Sequence, residues 1–213
     1  HGFSVLFDDC SITLASILHN QNGPVPVGTG NAPSLLGALV QARTGVAATT
    51  ATTAAATQMG LGLEYLHARL LVHGRLSSAA FYFAEGGSTL RLLVGNVLQS
   101  IRPSVPGSVP SSIVRWLPNE VVRAEEPVSI SSDVYGFGVL LWELSANSGI
   151  PHSGMYPIDT ALQAAITERQ AVGGLTIPPV WDRTLGDVRA DTMRSLFGLC
   201  TVPNAADRPW VSV

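Results

Sequence analysis

A helical pattern of apolar residues runs through the stretch "AAATQMGLGLEYLH", residues 54–67. Ala55, Met59, Leu63 and Leu66 stand at i, i+4, i+8 and i+11, so they share one face of an α-helix. The threonines that precede this stretch weaken the pattern, because β-branched side chains lose rotamer freedom in a helix. The spacing predicts a helix with one face in a hydrophobic core.

A second pattern, "SSDVYGFGVLLWEL" at 131–144, is apolar almost all round. One face has i, i+3, i+4, i+7 and i+10 spacing and carries Val134, Phe137, Gly138, Leu141 and Leu144. Leu140 and Trp142 lie off that face. A helix with so little polar surface is predicted to lie at the centre of a core.

The start and the glycines of this helix carry further predictions. Ser131 or Ser132 is expected to be its N-cap, and Asp133 suits the positive end of the helix dipole. Gly136 and Gly138 each lower helix stability by about 1 kcal/mol relative to alanine. Their presence predicts that neighbouring segments approach this helix closely.

The remaining patterns are shorter. Short β-type runs are predicted within residues 1–18, where Phe3, Val5 and Phe7 alternate with other residues. Ser34 is expected to cap a short helix. A hairpin turn, "AEGGSTL", separates two strand-like runs, and residues 97–118 are expected to be irregular. Two later helices are predicted in "PIDTALQAAITERQ" and "DVRADTMRSLFGLC", at 157–170 and 187–200.

Composition narrows the classes of function. Charged residues make up 13% of the 213, about half the usual share, and the net charge is −3. This charge gives no basic surface for nucleic acid. All 12 basic residues are arginines, so no lysine can clamp a phosphate or act as a general base. The uncharged run 44–63 lacks the sustained leucine, isoleucine and valine of a membrane span.

Two distant cysteines, Cys10 and Cys200, predict neither a disulfide framework nor a metal site, and they fit a reducing compartment. We therefore expect a cytoplasmic protein. The sequence begins with His1 and shows no secretory signal pattern. Without an initiator methionine, it is expected to be a fragment or a processed chain.

"SISSDVYGFGVLLWEL" resembles the central helix of the large lobe of eukaryotic protein kinases, in the form of the tyrosine-kinase-like branch. Other landmarks follow the same family order. "GLEYLHARLLVHGRLSS" resembles the long helix and catalytic loop, "VRWLPNE" the end of the activation segment, and "LCTVPNAADRPW" the closing motif. The resemblance is good over residues 55–213 and loose over residues 1–40.

Four residues take structural roles by this resemblance. Asp133 matches the aspartate that braces the catalytic-loop backbone, and His73 matches the loop histidine, whose role is mostly architectural. Glu120 and Arg208 match a buried ion pair between the activation segment and the helical floor. Removing one partner of such a buried pair typically lowers the free energy of unfolding by about 3–5 kcal/mol.

The catalytic positions do not match. The family reads H-R-D-L-x-x-x-N, whereas this chain reads HGRLSSAA at 73–80. Arg75 occupies the position of the catalytic aspartate, and it cannot accept a proton. Ser77 replaces the loop lysine, Ala80 replaces the metal-binding asparagine, and Val94 stands where D-F-G begins. The family uses ATP and magnesium, but these substitutions predict no cofactor and no metal in this chain.

The sequence therefore predicts a mainly α fold, a kinase-like C-terminal lobe with a few short β-strands, α+β overall. Residues 1–40 are interpreted as a remnant of small-lobe strands and hinge, and residues 41–213 as the large lobe. The leading hypothesis is an inactive pseudokinase or truncated kinase that acts in signalling through a protein partner, without nucleic acid or membrane. Two alternatives stay open: an active Ser/Thr/Tyr kinase with its nucleotide lobe upstream, and a decaying gene product.

Overall fold

Helices dominate the part of the chain that the computed structural model describes, which is residues 12–19, 34–41, 45–84, 87–93, 113–123, 125–146, 150–152, 175, 181 and 187–209. The helices are Leu14–His19 (α1), Leu35–Gln41 (α2), Gly45–His67 (α3), Asn119–Val122 (α4), Ile130–Ser145 (α5) and Val188–Cys200 (α6). The strands are Phe81–Ala84 (β1) and Thr89–Leu92 (β2). This architecture confirms the predicted mainly α fold with a small β portion.

Helix α3 has the predicted buried face. Ala55, Met59 and Leu63 are fully inaccessible to solvent, and Leu66 is buried. The helix begins at Gly45 and so includes the threonine-rich first half. The hydroxyl groups of Thr53 and Thr57 bond carbonyl oxygens four residues back, within the helix. Tertiary packing of the apolar face outweighs the low propensity of threonine.

Helix α5 is the centre of the core, as its apolar pattern predicts. Every residue from Ser132 to Ser145 is buried. The predicted N-cap is wrong by two or three positions, because Ser129 caps the helix and its hydroxyl accepts the Ser132 amide. The Ser132 hydroxyl in turn accepts the Ser129 amide at 2.7 Å. Ser132 is therefore the reciprocal partner in a capping box.

Close packing explains the two glycines of α5. A Cβ atom at Gly138 would lie 2.7 Å from Cys200 Cβ and 2.7 Å from Thr201 Cγ2. At Gly136 it would lie 3.2 Å from the Trp116 carbonyl oxygen. Helix α6 and the segment before α4 therefore approach α5 more closely than an alanine would allow.

This packing predicts opposite effects for two matched substitutions in helices. Gly138→Ala should lower the free energy of unfolding by about 1–3 kcal/mol, because the methyl group overlaps two atoms. Gly198→Ala should raise it by about 0.5–1 kcal/mol, because no atom lies within 4 Å of its Cβ position and alanine favours the helix. Urea unfolding monitored by circular dichroism measures both. A stabilising Gly138→Ala would contradict the packing.

The predicted hairpin is present as an antiparallel pair. Phe81 pairs with Leu92 and Ala84 with Thr89. The strand-like run before the turn begins at Phe81, and residues 71–76 form no strand. Gln58 of α3 fastens the hairpin to the helix, because its side-chain oxygen accepts the Leu90 amide at 2.6 Å.

The prediction of β-type runs is wrong for the end of segment 1–18, because Leu14–His19 is an α-helix. Leu14 and Leu18 are one turn apart and both enter the core. Thr13 caps this helix, since its hydroxyl accepts the Ser16 amide at 3.2 Å. The predicted Ser34 cap is confirmed, because its hydroxyl accepts the Gly37 amide at 3.1 Å.

Helix α6 closes the described core. Asp187 is its N-cap and accepts the Arg189 amide at 2.9 Å. Its buried side chains are those of Ala190, Met193, Phe197 and Cys200, which confirms the predicted amphipathic helix. None of the helices in the described ranges is long and apolar enough to cross a membrane.

Several predictions lie outside the described residues. They concern the alternation of Phe3, Val5 and Phe7, the irregular segment over 97–112, and the helix over 157–170. The boundary at residue 40 stays a prediction. Leu14, Leu18 and Leu36 nevertheless belong to the same hydrophobic cluster as α3 and α5.

Candidate functional site

Asp133, in the first turn of α5, holds the loop that follows α3. Its Oδ2 accepts the His73 amide at 2.7 Å, and its Oδ1 accepts the Gly74 amide at 2.8 Å. His67, the last residue of α3, places its Nε2 atom 3.2 Å from Oδ2. Asp133 is only 2% exposed, so these hydrogen bonds are shielded from solvent. One buried carboxylate thereby fixes the loop backbone to the central helix.

The His73 side chain connects two parts of the loop region. Its Nδ1 accepts the Arg75 amide at 3.3 Å, which assigns the ring proton to Nε2. Nε2 then donates to the Leu93 carbonyl oxygen at 3.1 Å. The Leu93 amide also bonds the Ala80 carbonyl oxygen at 2.7 Å. The residue that precedes Val94 therefore lies beside the loop, while Val94 itself is outside the described residues.

Gly74 has a φ angle of 70°, in the left-handed region. Glycine adopts this conformation without steric cost, whereas other residues are strained there. The chain can therefore turn sharply and still present two successive amides to Asp133. The next residue, Arg75, is half-buried.

The loop residues do not fit the metal and base chemistry of the family they resemble. Arg75 is a permanent donor and offers no acceptor to a hydroxyl group. Ala80 is buried and offers only a methyl group, whereas magnesium takes oxygen ligands. Ser77 is also buried. Among the residues described, no group of three His, Cys, Asp or Glu side chains could hold a metal ion.

Glu120 and Arg208 form a bidentate ion pair, at 2.5 Å for Nη1–Oε1 and 3.2 Å for Nη2–Oε2. The side chains are 14% and 1% exposed. The guanidinium also donates to the carbonyl oxygens of Ser131, Val202 and Pro203. All five donors of Arg208 therefore have acceptors, and three separate segments meet at this side chain.

Comparison with known proteins decides the family. The model of the family described as protein tyrosine and serine/threonine kinase matches residues 14–193. The chain belongs to this kinase family. Over 105 residues it is 35% identical to serine/threonine-protein kinase A-Raf of Mus musculus, Rattus norvegicus and Homo sapiens. Each match covers 46% of this chain, and the chain spans 17% of the length of each of these relatives.

The kinase fold of this chain contains a buried carboxylate that the sequence interpretation missed. Glu143 is fully buried in α5. Its Oε1 accepts the Ser78 hydroxyl at 2.6 Å, and its Oε2 accepts the Trp116 indole N–H at 2.8 Å. His19 Nε2 lies 2.7 Å from Oε1. The signal in the sequence was a glutamate inside an otherwise apolar helix, since a buried charge requires partners.

Burial shifts the pKa values of two other titratable groups. Arg115 donates to the Pro151 and His152 carbonyl oxygens, and burial lowers its pKa. Burial raises the pKa of the Cys200 thiol to about 12, although the positive charge of Arg208 opposes this shift. Cys200 is therefore an inert structural thiol in the folded kinase domain.

The Cys200 shift gives a prediction for thiol labelling. In a Cys10→Ser variant, iodoacetamide at pH 8.5 should alkylate Cys200 at least about tenfold more slowly in the folded protein than in urea, because the folded thiol is buried and protonated. Because burial disfavours the thiolate, the fold should lose stability as the pH rises from about 9 towards 12, where the thiol of the unfolded chain ionises and the buried thiol does not. Equal labelling rates in the two states would contradict this placement.

Proposed function

We propose that this kinase-family chain is a catalytically inactive domain that acts by binding a protein partner. The observation that supports it best is Arg75, a half-buried cation on the loop where the family places its catalytic carboxylate. The loop is nevertheless held firmly by Asp133, and the Glu120–Arg208 pair is intact. The chain thus keeps the contacts that support the fold while it lacks the groups that move a proton and hold magnesium.

Two measurements test this proposal. Calorimetry of the purified protein with ATP should show no binding that requires Mg²⁺. A phosphoryl-transfer assay should show no turnover, and Arg75→Asp alone should not create it, because Ala80 still provides no metal ligand. The protein assayed should include any upstream segment of the natural chain.

The opposite results would favour the other interpretation. Magnesium-dependent ATP binding, or turnover by the unmutated protein, would identify an active kinase whose nucleotide lobe lies outside this sequence. The matched control for Arg75→Asp in the turnover assay is Arg194→Gln, which changes a half-buried arginine on α6.

A further inference from the structure

The loop that carries Arg75 is anchored on both sides of that residue. His73 and Gly74 bond Asp133, and the Arg75 amide bonds the His73 ring. On the other side, Leu76 is buried and Ser78 bonds Glu143. The backbone at Arg75 therefore has little freedom, and the guanidinium is attached to a preorganised support.

The charge of Arg75 has no carboxylate partner among the described residues. Ion pairs within those ranges include His19–Glu143, His67–Asp133, Arg123–Glu125 and Arg208–Glu120, and none of these involves Arg75. A half-buried charge loses hydration, and an anion that supplies acceptors offsets that loss. The planar guanidinium fork matches phosphate oxygens well, since it can donate two parallel hydrogen bonds.

A second arginine belongs to the segment that packs beside this loop. The Trp116 carbonyl oxygen and Leu76 Cβ lie 3.2 and 3.4 Å from the position that a Gly136 Cβ would occupy. The residues that precede them in sequence are Arg115 and Arg75. Arg115 donates to two carbonyl oxygens and, like Arg75, has no carboxylate partner among the described residues. Arg115 thus lies on a neighbouring segment, and its guanidinium is held by the Pro151 and His152 carbonyl oxygens.

We propose that the loop at Arg75 binds a phosphate-class dianion without a metal ion. This inference rests on the proposed function, because it requires that no catalytic carboxylate occupies the site. The guanidinium of Arg75 is the direct ligand. The phosphate group can come from a free ion, a phosphorylated side chain or a nucleotide.

The test is an NMR titration with inorganic phosphate in EDTA, at constant ionic strength adjusted with sodium chloride. The Gly74 amide and the Arg75 Nε–H signals should shift and saturate. Arg75→Gln should weaken binding at least about tenfold, while Arg75→Lys should weaken it less because it keeps the charge but not the fork. Arg194→Gln is the matched control and should change the affinity less than about twofold.

O-phosphoserine and ATP, each in EDTA, identify the source of the phosphate group. Tighter binding of either one than of inorganic phosphate supports the site and names its source. Circular dichroism and thermal melting of every variant establish that it is folded. The proposal is overturned if no phosphate compound gives saturable shifts, or if folded Arg75→Gln binds as tightly as the parent. Phosphate can thus fail to bind while the protein is still inactive as a kinase, so the two proposals fail separately.

Discussion

Arg208→Ala is expected to lower the free energy of unfolding by about 3–5 kcal/mol. The substitution leaves the Glu120 carboxylate, only 14% exposed, without its cation. It also removes the donors that serve the Ser131, Val202 and Pro203 carbonyl oxygens. Urea unfolding at neutral pH and moderate salt measures the change.

The chain offers a matched control for that prediction. Arg123 and Glu125 are 3.8 Å apart with side chains 46% and 59% exposed, so Arg123→Ala should cost less than about 1 kcal/mol. The double variant Glu120→Ala/Arg208→Ala should be less destabilised than the sum of the single variants, because neither partner is then left unpaired. A cost for Arg208→Ala as small as that for Arg123→Ala would show that the buried pair contributes little.

Asp133→Ala should destabilise the domain by about 2–6 kcal/mol, since each unsatisfied buried donor costs about 1–3 kcal/mol. The amides of His73 and Gly74 both lose their acceptor, and His67 loses its nearby anion. The loop should loosen before the whole domain unfolds. Hydrogen exchange of the two amides, measured beside urea unfolding, separates the local effect from the global one.

Asp187→Ala is the control for Asp133→Ala. Asp187 is also a carboxylate that accepts a backbone amide, but it caps an exposed helix end. Its loss should cost about 1 kcal/mol, the usual value for an N-cap. If Asp133→Ala costs no more than this, and the His73 and Gly74 amides stay protected, Asp133 does not hold the loop.

The local sequence was sufficient to predict where most of the described helices lie, but not where they begin. Apolar spacing located α3, α5 and α6, because side chains 3.6 residues apart share one face. It failed at α1, where six residues give too few turns for a period to appear. It also failed at the α5 cap, since three serines at 129, 131 and 132 are equivalent until the backbone selects Ser129.

The candidate site was predicted partly by residue identity and partly by resemblance. Arg75 and Ala80 are facts of the sequence, and no fold can turn them into the aspartate and the asparagine of the family motif that this loop resembles. The Glu143 cluster was not predicted, because its partners His19, Ser78 and Trp116 lie in three separate segments. No local sequence pattern predicts that these distant segments come into contact.

The sequence by itself determined the helical periodicity, the absence of lysine and the presence of Arg75 in a loop that resembles the catalytic loop of the family. These depend only on which side chains are present and on their spacing along the chain. Tertiary structure alone decided which groups meet, such as Asp133 with the His73 amide 60 residues away and Arg208 with Glu120 across 88 residues. Such contacts arise when the packed core brings distant segments together, and charged groups buried there must then be paired.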